Sequence, residues 1–181
     1  MRVARGDGTL TENDKETATE MNKTLASVFT KENPNDAVPS TNYNYNGSIL
    51  TELTVNEEMV NKILKKLNVN KSAGPDNISP RMLRECRESL ARPLTNVFNK
   101  ILQTGDVPAA WKEANVSPLF KKGDKTNPLN YRPVSLTSVI GKVFETLIRD
   151  ALVKHATENA IIKLQQHGFM TNKSTLTNLL E

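Results

Sequence analysis

Cysteine, histidine, aromatic residues and long apolar runs are all scarce in this sequence. The single cysteine, Cys86, excludes an internal disulfide framework and points to a reducing compartment. No apolar run approaches the ~18 residues of a membrane span. No charged-then-apolar signal opens the chain, so an intracellular location, nucleus or cytoplasm, is expected. The two histidines, His155 and His167, lie far from Cys86 and fit no zinc spacing. Neither a G-x-x-x-x-G-K-[ST] phosphate loop nor a G-x-S-x-G elbow occurs. Two-metal phosphoryl transfer needs carboxylates close together, and here the Asp residues are scattered with no Asp-Asp pair. No metal site and no cofactor are therefore expected within this chain.

What is present is a modest core and an uneven charge. Apolar residues make up 37% of the 181 residues, enough for one core and too much for a chain disordered throughout. The length suits about one domain of ~100–200 residues. Residues 1–60 hold 5 Lys+Arg and 10 Asp+Glu, net −5. Residues 61–181 hold 19 and 10, net +9, giving the overall +4. An acidic leader thus precedes a basic body suited to a polyanion. Two regions follow: residues 1–50, a leader helix with an Asn/Pro-rich linker, and residues 51–181, the basic body.

Hydrophobic periodicity predicts a helix over 11–30, with Ala18, Met21, Leu25, Val28 and Phe29 on one face and Thr11 or Asn13 as cap. Residues 32–48 read as loop. A second helix is predicted from Thr54 to about Leu67, with Thr54 and Glu57 at capping-box spacing. Ser79 and Pro80 restart a helix, and Pro93 is expected to divide the next stretch into 80–91 and 93–104, before Gly105. ANVSPLF (114–120) and YRPVSL (131–136) read as strands around a basic turn, hence a hairpin. The strongest helical stripe runs over about 137–155, and Ser174 caps a final helix. The expected class is α+β, predominantly helical with a small β-hairpin.

The chemistry these residues offer is anion recognition. Lys121 and Lys122 sit in the Gly-containing turn, and Arg132 opens the second strand. Strand pairing brings them together, lysine acting as a point charge and arginine as a bidentate donor for phosphate. A solvated turn explains the same residues, and on composition alone both readings stand. Gly74, Pro75 and Asp76 make a turn, beside which Lys71 either meets a nucleic-acid backbone or stands in water. Trp111 reads as a packing anchor rather than a base-stacking platform. Cys86, between Arg84 and Arg87, has no neighbouring histidine to make it a nucleophile. Phe169 is either a core plug or part of a nucleic-acid track.

Three separated segments add a resemblance: KSAGPDNISP, TGDVPAAWKEANVSPLFKKGDKTNPLNYRPVSLTSVIGKVFETLI, and QHGFMTNKSTLTNLL. Their order and spacing resemble the reverse transcriptases of non-LTR retrotransposons, most of all the jockey-type long interspersed elements, over about residues 54–181. The leader is similar to the segment joining endonuclease to polymerase in such elements. The resemblance implies the fingers and palm entrance of a right-hand polymerase. It implies that Lys121, Lys122 and Arg132 approach the incoming deoxynucleotide's triphosphate and the template, and that Gly74, Pro75 and Asp76 form a structural turn. Asn77 stands where many relatives have Gly, and Lys173 where they often have Arg. The family's catalytic carboxylates, which hold two magnesium ions, are expected beyond Glu181. The chain is therefore read as a truncated piece of an RNA-directed DNA polymerase, inactive alone, with Mg2+ needed only by the full-length parent. The alternatives are a non-catalytic RNA- or DNA-binding module derived from it, or a decayed reading frame. Weak, sequence-independent binding to RNA or DNA is expected, tightened by removal of the acidic residues 1–50. Self-association through an uncovered apolar stripe over Val139–Leu152 is also expected.

Overall fold

The computed structural model describes residues 1–29, 47, 49–163, 165–170 and 172–179. The loop expected at 32–48 lies outside them except for Gly47. The described elements are helices and one small antiparallel sheet, an α+β arrangement, and contacts divide the chain into two compact units. One draws on Met1–Asn42, Ser72–Asn77 and Ala109–Ser138, the other on Tyr43–Lys71, Ile78–Pro108 and Val139–Glu181. Neither is continuous in sequence, so the contact-based division follows tertiary packing, whereas the division at residue 50 follows composition.

In the first unit, α1 (Asp14–Ser27) starts where Asn13 accepts a hydrogen bond from the Glu16 N–H at 2.9 Å. Its buried positions are Thr17, Met21 and Leu25. The expected stripe included Val28 and Phe29, but both lie past the helix end and are exposed. The strands β1 (Ala114–Phe120) and β2 (Tyr131–Thr137) pair antiparallel, from Ala114 opposite Thr137 to Phe120 opposite Tyr131. Pro118 stands opposite Pro133. The Lys121 N–H donates to the Asn130 carbonyl at 2.9 Å. Alternation from that bond puts the two prolines in a non-hydrogen-bonded pair, where an N–H would point outward. The rings thus cost no ladder bond and blunt both free edges. Between the strands, residues 121–130 are not a tight turn but a longer loop closed by a 3-10 turn, Pro128–Asn130.

The N-terminal arm belongs to the same unit. Ala4 bridges Leu10, and Val3 packs with Met21 and Tyr131, with Phe120 against the cluster. Composition gave no sign of this, since one buried valine carries no period. Helix α5 (Ala109–Lys112) holds Trp111 half-buried.

In the second unit, α2 (Glu57–Lys65) packs against α4 (Arg87–Thr104) and α6 (Val139–Glu158). The expected cap Thr54 is displaced by Asn56, whose side chain accepts from the Met59 N–H at 2.9 Å. The reason lies in Asn99: its side chain donates to the Val55 carbonyl at 2.8 Å and accepts from the Val55 N–H at 2.9 Å. These two bonds tie Val55 to α4 and favour a start after it, at Asn56. The expected break at Pro93 is also corrected. Helix α3 (Pro80–Glu85), capped by Ser79, ends at Cys86, and Pro93 lies inside α4. Pro93 and Ser89, whose carbonyl loses its partner, are both exposed, so water can serve that carbonyl. Away from the proline Ala91, Leu94, Phe98 and Ile101 are buried, and their packing keeps the helix continuous through it. Phe98 stacks on Phe144 of α6 with centroids 5.2 Å apart. The stripe expected to be uncovered over Val139–Leu152 is instead buried at Val139, Val143, Phe144 and Leu147, because α6 packs on α2 and its Phe144 on Phe98 of α4; Leu152 stays exposed, as does Val153 beside it. Helix α7 (Thr175–Leu179) starts where the Thr177 N–H donates to the Ser174 hydroxyl at 3.2 Å, as the sequence predicts. Among the described residues no helix is long and apolar enough to cross a membrane.

Candidate nucleic-acid interface

The hairpin loop is built by short polar side chains closing on their own backbone. Asp124 accepts from the Thr126 N–H at 2.8 Å and the Thr126 hydroxyl at 2.7 Å. These bonds, the backbone one first, hold the Asp124 carboxyl below the usual range. Asn127 accepts from the Leu129 N–H at 2.9 Å, and Asn130 donates its side-chain amide to the Asp124 carbonyl at 2.9 Å. Gly123 adopts φ +91°, and a Cβ there would lie 2.7 Å from the Asn130 amide nitrogen. The Tyr131 hydroxyl donates to the Lys125 carbonyl at 2.8 Å. Phe120 and Tyr131 meet edge to face at 5.4 Å, and the Lys125 ammonium lies 5.7 Å from the Phe120 ring centre.

On this frame the cations are exposed. Arg132 pairs with Leu119, and Lys121 opposes Asn130 one hydrogen-bonded step nearer the tip. Period-two alternation puts Lys121 and Arg132 diagonally on one face, about 7–8 Å apart at the backbone. Lys122 lies beyond the last pair, in the loop. Lys121, Lys122 and Arg132 form no ion pair among the described residues, and the one acid of the loop, Asp124, is turned onto Thr126. The arrangement is a basic tip with preset backbone, able to meet phosphate oxygens without first releasing an internal partner. Lys125 is a member of this tip that sequence reasoning missed, although its place in KKGDK is a visible signal.

Gly74, Pro75 and Asp76 lie elsewhere. The Asn77 N–H donates to the Gly74 carbonyl at 3.1 Å, closing the turn, and Asn77 takes φ +56°, a left-handed conformation that asparagine tolerates. Gly74 is buried, and a Cβ on it would lie 2.5 Å from the carbonyl carbon and oxygen of Thr137 and 2.7 Å from the Ser138 nitrogen. The turn therefore presses on the far end of β2, about 20 Å along the strand from the basic tip. The two groups of residues singled out from sequence do not form one site.

Lys71, Cys86 and Phe169 are all exposed, Phe169 fully and with φ +62°, so it is no core plug. His167 is buried, its Nδ1 2.8 Å from the Thr177 hydroxyl. Among the described residues no group of three or more His, Cys, Asp or Glu side chains is placed to hold a metal ion.

No protein-family model matches the chain. Individual proteins do. Over 121 residues, 66% of the chain, it is 35% identical to the RNA-directed DNA polymerase assigned to transposon BS of Drosophila melanogaster. Over 119 residues, 65% of the chain, it is 32% identical to the RNA-directed DNA polymerase from mobile element jockey of the same fly. The chain is a relative of jockey-like, non-LTR retrotransposon polymerases. The likeness extends to a Pol polyprotein from the type-1 retrotransposable element R1 of Bradysia coprophila, 28% identical over 121 residues. The chain spans about 13% of the length of the jockey and BS polymerases, so it corresponds to one part of such a retrotransposon polymerase.

Proposed function

We propose that this chain is the fingers portion, with the palm entrance, of a right-hand retrotransposon polymerase. In this reading the hairpin tip holds phosphate groups of the incoming deoxynucleotide and of the template in the full-length enzyme. The observation that supports it is the tip itself: Lys121 and Lys122 on a loop whose backbone is held by its own side chains, and Arg132 at the adjoining start of β2, all exposed and in no ion pair among the described residues, in a chain related to RNA-directed DNA polymerases. Arg132 supplies a planar fork for two phosphate oxygens, and Lys121 and Lys122 supply point charges. Such contacts position the strand and the triphosphate and read no sequence. The magnesium ions are those of the full-length parent, and no bond-making step is assigned to this part. What this part contributes is binding and orientation of phosphates.

Binding of a fluorescent single-stranded oligonucleotide across a salt series tests the proposal. Each contacted phosphate contributes ~0.7 to the slope of log affinity against log salt on single strands. Replacing Lys121, Lys122 and Arg132 together by Ala should flatten the slope by about two to three such contacts and leave base preference unchanged. An unchanged slope in a triple variant of native circular dichroism would return these side chains to solvated turn residues.

A further inference from the structure

We propose that the N-terminal arm, Val3 and Ala4, is the positioning element of the basic hairpin tip, an inference that rests on the nucleic-acid reading above. A two-stranded hairpin is marginal by itself and needs a third surface to become rigid. Here that surface comes from the leader. Val3 is fully buried with Tyr131 and Met21, with Phe120 alongside. The Ala4 N–H donates to the Thr126 carbonyl at 2.7 Å, reaching the loop directly. The arm is held in turn by Thr11, whose hydroxyl accepts from the Val3 N–H at 3.0 Å and whose N–H donates to the Val3 carbonyl at 2.9 Å. The Thr11 and Thr17 hydroxyls meet at 2.8 Å, which ties the arm to α1.

The residues the arm grips are the immediate neighbours of the cations. Phe120 precedes Lys121, Tyr131 precedes Arg132, and Thr126 follows Lys125. The Tyr131 hydroxyl also holds the Lys125 carbonyl. A shift of the two rings therefore moves the cations with them. Lysine and arginine side chains lose freedom on meeting a phosphate, and a backbone already ordered keeps that loss from growing. The leader's acidic balance had suggested a competitor for these cations. As a brace the leader has the opposite effect, so removing residues 1–50 is expected to weaken oligonucleotide binding where charge alone predicts tightening.

The test uses the full chain with three substitutions: Val3→Ala, which removes the arm's apolar contact, Thr11→Val, which removes its hydroxyl acceptor, and Thr11→Ser, which keeps that acceptor. Two readouts are taken: amide hydrogen exchange at Lys121, and affinity for a fluorescent single-stranded oligodeoxythymidylate. Exchange at Gly105, whose N–H donates to the Ile101 carbonyl at 2.8 Å in the second unit, serves as internal reference. Val3→Ala and Thr11→Val should speed exchange at Lys121 about tenfold, leave Gly105 unchanged and lower the affinity, while Thr11→Ser stays near wild type on both readouts. Unchanged exchange at Lys121 in a folded Val3→Ala protein overturns the brace. Faster exchange with unaltered affinity overturns the positioning role. If the wild type itself does not bind, the nucleic-acid reading fails at that step and positioning for nucleic acid falls with it. The exchange result then decides alone whether the arm braces the tip.

Discussion

Replacing Gly74 by alanine separates a structural turn from a ligand-binding one. A Cβ there would lie 2.5 Å from two backbone atoms of Thr137 and 2.7 Å from the Ser138 nitrogen. Ordinary contact to such atoms begins near 3.4 Å, so the turn and the end of β2 must part by close to an ångström. The obstructing atoms are backbone, so no side chain can swing aside. Overpacking of this kind costs about 1–3 kcal/mol. The φ of Gly74 is not among the positive ones, so alanine also gains about 0.4–1 kcal/mol by restricting the unfolded chain. The net expectation is a loss of about 1–2 kcal/mol, or about 2–8 °C in Tm for a chain of this size. Gly6, with nothing within 4 Å of its Cβ position, is the control, and Gly6→Ala should be neutral or slightly stabilising. Thermal and urea unfolding followed by circular dichroism measure both. A Gly74→Ala protein as stable as wild type would refute the argument that close approach is why glycine stands in this motif.

Three more expectations follow from particular contacts. The lowered folded value of Asp124 means that its stabilisation of the loop is complete above 3.8, its ordinary value, and is lost as the pH falls through the lower folded value. Exchange at the Thr126 amide, corrected for intrinsic rates, should therefore rise only in that acid range, and Asp124→Ala should make it fast throughout; a flat acid profile in the wild type would contradict this. Leu152 and Val153, 53% and 48% exposed on α6, should drive self-association, and Leu152→Glu should weaken it about tenfold in sedimentation equilibrium. A monomeric wild type at all concentrations would count against it. Finally, the chain alone should not extend a primer on an RNA template with magnesium and deoxynucleotides, because among the described residues no three or more His, Cys, Asp or Glu side chains are grouped as a two-metal site would need. Chelator-sensitive incorporation above a protein-free control would overturn that expectation.

Local signals were legible where one residue type performs one local task. Asn13, Ser79 and Pro80 mark helix starts, Gly105 ends α4 in a left-handed conformation, and alternation around KKGDKTNPLN foretells the hairpin. The basic tip was readable for the same reason, since its cations lie within a few residues of one loop. The family was readable because three motifs keep their order over most of the chain, and the similarity to the BS and jockey polymerases shows it. Only the tertiary structure decided the points where distant segments meet. Asn99 moves the start of α2 by engaging Val55, forty-four residues away. Burial of Phe98 and Ile101 carries α4 through Pro93 against its local preference. Gly74 answers to a strand end more than sixty residues on. Val3 packs on Tyr131 across most of the first unit, turning an acidic leader into part of the hairpin's support. Propensity and periodicity act over a few residues and are written in the local sequence. Packing energies depend on which side chains meet in space, and a single buried contact leaves no repeating trace along the chain.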